Sequence, residues 1–324
     1  MMSASNGNKR RVWFVKLLLV LFLLFLPAFS GNFMIYLMSL SLIFGIFAMA
    51  YDLLFGYTGQ VSFGHSVFYG VSAYSVGIVA STVFSINNPL ILFATAIAVG
   101  AFLGTFVGFF CSYSRGIYLA LVTFAFAQIF WLLILSDPGG ITLGENGIMG
   151  FRPSAIIFGN FALELFKGTA FYYLILAILV GSYLCILGLV KSPLGDVLKG
   201  IKQNEHRLMS LGYNTRPYKI LAFTLSGAFS GIAGILMAFL NNSIEPSMVD
   251  WHVGAQILLI CILGGPGTLL GPILGAVLIV FTEHYASSWV GGGNWVYILG
   301  GLYICVVMFF PGGILNTKWG KFLK

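Results

Sequence analysis

Charge is what this sequence has least of. Of its 324 residues only 8% are charged, sixteen Lys or Arg and nine Asp or Glu. Soluble domains carry about 25%, so this chain cannot coat a water-facing surface of its size. Five of the nine acids (Asp137, Glu145, Glu164, Glu245, Asp250) fall in connectors between apolar runs. The runs therefore lack the convergent titratable groups of a membrane enzyme, and no catalytic residue is assigned. They also lack the mid-span ionisable residues of an ion-coupled transporter. Cysteine is scarce too: Cys111, Cys185, Cys261 and Cys305 stand singly in apolar segments, with no CxxC or Cys/His spacing. No metal site or cofactor is expected. No GxxxxGK[ST] loop occurs, so any ATP that drives this protein is hydrolysed by another chain. The alternation of a membrane β-barrel is missing as well.

What fills the sequence is hydrocarbon: 59% of residues are hydrophobic and the mean hydropathy is +0.98. Apolar runs cover 12–29, 33–55, 65–84, 89–112, 116–135, 170–190, 219–240, 254–283 and 294–311. Most approach the roughly 20 residues that cross a bilayer. The expectation is an all-α polytopic membrane protein, one transmembrane domain over 1–324. The run 254–283 is interrupted by GGPGTLLGP, so it either enters and returns, giving eight spans, or crosses twice, giving ten. The first run follows NKRR and ends at AFS, which also suits a signal peptide. A second run follows at once, and a retained first helix is the expected arrangement.

The net charge of +7 is topological rather than a sign of nucleic-acid binding, and no nucleic-acid partner is expected. Thirteen of the sixteen bases lie in three segments: Lys9, Arg10, Arg11 and Lys16 at the start, six from Lys191 to Lys219, and Lys318, Lys321 and Lys324 at the end. The positive-inside rule places 1–11, 191–218 and 312–324 in the cytoplasm and 136–169 outside.

The basic connector reads as a helix over 192–212. Ser192 and Pro193 make a start signal, and Gly212 suits the left-handed stop. Leu194, Val197, Leu198, Ile201, Leu208 and Leu211 share one face; Glu205 joins the polar remainder, and Gly200 is where a break is expected. Spacing alone allows two readings, a helix lying on anionic lipid or one docking on a soluble partner.

Two stretches break the apolar pattern with glycine. GYTGQVSFGH at 56–65 offers Thr58, Gly59, Gln60, Ser62 and Gly64; GGPGTLLGP at 264–272 offers Gly264, Gly265 and Gly267. Non-helical backbone at membrane depth must be buried in protein or line a wet cavity, and paired breaks point to a transporter's path. An inverted repeat is expected on the same ground. The alternative is close helix packing by small residues, which is the reading for GAFSGIAG at 227–234. Gln60 favours the path, since an amide facing lipid is costly. Gln128 is a second mid-span amide. Asp52, Glu283, His65 and His284 receive no chemical role.

Four segments together resemble the branched-chain amino acid type of ATP-binding-cassette importer permease. They are GYTGQVSFGHSVFYGVSAY; RGIYLALVTFAFAQIF with ENGIMG; SPLGDVLKGIKQNEHRLMSLGYN with YKILAFTLSGAFSGIAGIL; and LLICILGGPGTLLGPILGA with PGGIL. They run in the family's order from about residue 50 to 315. The resemblance implies a non-enzymatic subunit of a prokaryotic cell (inner) membrane. Its partners would be a second related permease, two cytoplasmic ATP-binding subunits and an extracytoplasmic solute-binding protein. It implies that Leu194, Val197, Leu198, Ile201, Glu205, Leu208, Leu211 and Gly212 belong to the ATPase-coupling loop. The solute would be a branched-chain or similar amino acid, with urea, amides or another small solute as alternatives.

Overall fold

The computed structural model describes residues 23–82, 86–150, 156–158, 161–163, 166, 168–290, 295–309 and 312–316. The basic N-terminal segment 1–11, the start of the first apolar run and the basic tail beyond 316 lie outside the described residues. A helix α1 covers 23–29, and α2 follows over Asn32–Thr58. Helix α3 (His65–Gly77) passes into a π-helical turn at Ile78–Thr82. Then come α4 (Pro89–Cys111), α5 (Ile117–Leu135), α6 (Gly168–Lys191), α7 (Pro193–Ser210) and α8 (Thr215–Asn241). The last three are α9 (Trp251–Gly264), α10 (Leu270–Val290) and α11 (Trp295–Phe309). Six of these (α2, α4, α5, α6, α8 and α10) are long and apolar enough to cross a membrane.

Local chemistry sets several boundaries. Asn88 accepts from the Leu90 N–H at 3.0 Å with Pro89 opening α4, and Asn214 and Asp250 accept from Arg216 and His252 in the same way. Each satisfies an N–H that the first helical turn leaves free. Gly59 ends α2 at φ +73°, a left-handed conformation that favours glycine.

Helices α2 and α8 form the centre. A glycine stripe lets α8 press on α4: a Cβ on Gly100 would overlap the Gly227 carbonyl, one on Gly104 the Phe223 carbonyl, and one on Gly231 the Ala96 carbonyl. Gly234 meets the Tyr69 carbonyl of α3 in the same way. GAFSGIAG is thus a packing surface, the usual use of small residues between membrane helices.

The all-α expectation holds for every long element, and the connectors add four short strands. Strand β1 (Ile148–Met149) pairs antiparallel with β4 (Ser243–Ile244), and β2 (Ile156–Phe158) with β3 (Phe161–Leu163). Backbone that leaves a helix needs new hydrogen-bond partners, and short ladders supply them.

The run 254–283 divides into α9 and α10 around a turn at 265–269. The two helices lie against each other, with Gly264 on the Gly271 carbonyl and Gly275 on the Ile260 carbonyl. One end of the bundle gathers the end of α2, this turn, α7 and the start of α8. Lys202 of α7 reaches Gly56, Gly267 lies against Gly56, and Gly313 packs on Gly265. At the opposite end β1 and β4 pack against Gly77.

Candidate coupling surface and translocation path

Helix α7 begins as its residues predict, with extended Ser192 followed by Pro193, but the serine hydroxyl donates back to Leu189 O at 2.6 Å instead of capping α7. The break expected at Gly200 falls at Asn204 (φ −165°, ψ 101°). There the Asn204 amide oxygen accepts from the Arg207 N–H at 3.0 Å, so asparagine ends one helical piece and caps the next. At the far end Gly212 has φ +89°; its N–H donates to Met209 O and the Tyr213 N–H to Leu208 O. That is a Schellman closure, with Gly212 at the position the sequence predicts.

The apolar face of α7 turns toward the chain's own helices. Leu198 and Ile201 are buried, and Leu194, Val197 and Leu208 pack partly buried on the core. Leu211 is 71% exposed, beside exposed Tyr213 and Met209. Of the residues expected to meet a partner, only the C-terminal group remains open to one.

Glu205, read from sequence as surface, is a hub. It pairs with Lys219 at 2.6 Å and Arg115 at 3.2 Å, and accepts from Thr215 at 2.8 Å. Arg115 also meets His206 at 2.7 Å. One carboxylate therefore ties α7 to the α4–α5 connector and to the start of α8. Desolvation works to raise its pKa, but the hydrogen bonds from Lys219 and Thr215 and the charges of Lys219 and Arg115 outweigh it and hold the carboxyl below its ordinary range.

The break at 59–64 returns the chain from the end of α2 into the protein. The Thr58 hydroxyl bonds back to Leu54 O within its own helix, and Gly59 is exposed. The Ser62 N–H donates to the Tyr51 hydroxyl at 3.2 Å and the Phe63 N–H to Thr123 Oγ1 at 3.1 Å. Gly64 lies directly on the Thr123 carbonyl of α5. Backbone is thus satisfied while side chains are not. Gln60 Oε1, Ser62 Oγ and Ser66 Oγ are buried without a hydrogen-bond partner among the described residues. His65 belongs to the same group. Ser226 gives its proton to Ala50 O, so His65 Nε2 must donate to Ser226 Oγ, at 2.8 Å, and Nδ1 is left an unpartnered acceptor.

The turn at 265–269 is the reverse. Gly265, Gly267 and Leu269 all have positive φ, 113°, 79° and 58°. One side chain holds the last two. Asp52, fully buried in α2, accepts from the Gly267 N–H at 2.7 Å and Cys261 Sγ at 3.3 Å through Oδ1, and from the Leu269 N–H at 3.3 Å through Oδ2. Thr268 closes the remainder by accepting from the Gly271 N–H at 3.0 Å.

A model of the branched-chain amino acid transport system permease component matches residues 33–308. The chain belongs to this permease family. It is 29% identical over 283 residues to the high-affinity branched-chain amino acid transport system permease protein LivM of Escherichia coli K12, covering 80% of this chain and 64% of that protein. A probable branched-chain permease LivH of Methanocaldococcus jannaschii is 28% identical over 201 residues, 59% of this chain and 62% of that one. The ribose import permease RbsC of E. coli K12 is 24% identical over 216 residues, 64% of each chain. The chain thus spans a little under two thirds of the length of the E. coli and Salmonella typhimurium LivM proteins. No solved structure matches.

In this permease the expected path residues do not form one site. Thr58, Gly59, Gln60, Ser62 and Gly64 stand together, and Gly267 borders them across Gly56 and Lys202. Gln128 sits half-buried five residues along α5 from Thr123 and makes no hydrogen bond among the described residues. A groove of about 460 Å³ lies elsewhere, bounded by Tyr36, Phe166, Phe171, Phe239 and Asn242, and none of the expected path residues lines it. Sequence reasoning missed Asp52. Its signal was present, a lone acid in an apolar run one helical turn before Gly56.

Proposed function

We propose that this permease is a membrane subunit of an ATP-driven importer of branched-chain or similar amino acids. It pairs with a second related permease, two ATP-binding subunits on the cytoplasmic side and a solute-binding protein on the other. The observation that carries this reading is α7. A short polar helix at one end of an apolar bundle is tied at once to α2 through Lys202 and to the α4–α5 connector and α8 through Glu205, while Met209, Leu211 and Tyr213 stay exposed at its end. That suits a surface that receives a push from a soluble motor.

The α7 end is then cytoplasmic. Counting α1 to α6 and α8 to α11 as crossings gives ten, with both termini on the α7 side. Packing of 312–316 against the turn at Gly265 supports that count. Both glycine-broken turns lie at this one end, so the inverted repeat expected from the sequence would relate other elements. Gln60, Ser62 and Ser66, buried and unpartnered, are the residues we assign to the solute's route, becoming wet when the domain changes state.

Co-expression with the adjacent transport genes and reconstitution tests the reading. ATP-dependent uptake of leucine, isoleucine or valine is expected, and uptake by this chain alone on an ion gradient would refute it. A ribose-like or other uncharged solute is the second reading, favoured by the likeness to RbsC and by spans nearly free of charge.

A further inference from the structure

We propose that Lys202 and Asp52 form the joint through which α7 moves the α9–α10 hairpin. This rests on the importer reading above. The joint is continuous on hydrogen bonds. Lys202 Nζ donates to Gly56 O at 2.6 Å, a carbonyl of the last turn of α2 that the helix itself leaves free. The ammonium also sits at the negative end of the α2 dipole, where a cation is favoured. Asp52 lies one turn back on the same helix and holds the Gly267 and Leu269 N–H groups. Gly56 lets the two meet: a Cβ there would overlap both the Asp52 carboxylate and the Gly267 nitrogen. A Cβ on Gly267 would stand 4.0 Å from Lys202 Nζ, so the α7 cation and the hairpin turn are neighbours.

The turn is also an element that moves only if its anchor does. Three positive-φ residues in five keep it from joining α9 to α10 as one helix, and Asp52 is the only side chain outside 261–271 that bonds it among the described residues. Gly313 rests on Gly265, so the segment 312–316 follows the turn. A displacement of α7 by a partner thus reaches α2, the hairpin and the end of α11 through one lysine and one aspartate. Both are positioning residues; neither touches solute.

The test uses the assembled complex in proteoliposomes, with Cys185 and Cys305 changed to serine and Pro266→Cys as a thiol probe on the turn. Three variants are compared with the parent: Lys202→Met, Lys202→Arg and Asp52→Asn. Two quantities are read, solute taken up per ATP hydrolysed and the change in labelling rate at residue 266 when a non-hydrolysable ATP analogue is added. The joint predicts a labelling change in the parent. Lys202→Met should lose it, with uptake per ATP falling about fivefold or more. Lys202→Arg, which keeps the donor, should restore most of both, and Asp52→Asn should fall between. If Lys202→Met assembles and keeps both the parent's uptake ratio and its labelling change, the joint is overturned. If the parent complex shows no ATP-dependent uptake, the importer reading fails and this inference goes with it. Variants that do not assemble are distinguished by size-exclusion of the complex. In that case Lys202→Ala, which has no donor, must reproduce the loss of ratio for the joint to stand.

Discussion

The two glycine-broken stretches look alike in sequence and are built in opposite ways. At 265–269 a single buried carboxylate meets two backbone N–H groups and a thiol, and the turn is fully pinned. At 59–64 the backbone finds partners in Tyr51 and Thr123, yet Gln60, Ser62, His65 and Ser66 carry buried polar atoms with none among the described residues. An unpaired buried polar group costs about 1–3 kcal/mol. We assign these groups to a route that another state of the molecule wets. Glycine content alone therefore does not tell a joint from a lining; the pairing of nearby side chains does.

The sharpest way to break this comparison is to remove the pin. Asp52→Ala would leave the buried Leu269 N–H and the half-buried Gly267 N–H unpaired, a loss of about 2–4 kcal/mol. Thermal unfolding of the purified permease should show a fall of many degrees. Next in size is Gln60→Leu, expected to cut ATP-driven uptake several-fold while assembly with the partner subunits, read by co-purification, stays intact. Unchanged uptake would move Gln60 to the packing class. Gly212→Glu places a side chain at φ +89°, costing about 1 kcal/mol, beside the exposed Leu211. Weaker retention of the ATPase on an affinity column is expected, with membrane insertion unchanged; full retention would remove the end of α7 from the docking surface.

The smallest effect is a pH dependence. Glu205 is held below its ordinary range, so its contribution is complete above the unfolded value of about 4.3 and fades only as pH falls further. Protection of the 205–216 amides, taken relative to their intrinsic exchange rate at each pH, should therefore be constant from neutral to mildly acidic pH and fall below it. A loss of protection already near pH 6 would show that the Glu205 contacts do not hold this corner.

Much of this was legible in the sequence. The apolar runs located nearly every long helix, because a span must be apolar for some twenty residues whatever it packs against. Ser192, Pro193 and Gly212 marked α7 because start and stop chemistry is local. Gly200 misled because glycine is tolerated inside a helix, whereas the true kink uses the Asn204 side chain as a cap. The apolar face of α7 was visible, but not what it faces. Leu198 and Ile201 meet the chain's own helices, and only tertiary structure distinguishes that from a partner's groove. The lone acid of Asp52 in an apolar run was visible, but its role was not, because its partners lie more than 200 residues away.

The most direct test of the pinned-against-unpaired contrast is a side-by-side thermal unfolding of Asp52→Ala and Gln60→Leu in the same detergent. The account predicts a clear fall in midpoint for Asp52→Ala and no fall, or a slight rise, for Gln60→Leu, which removes an unpaired amide. Equal falls in both would contradict it, since the two breaks would then be held by side chains of the same kind.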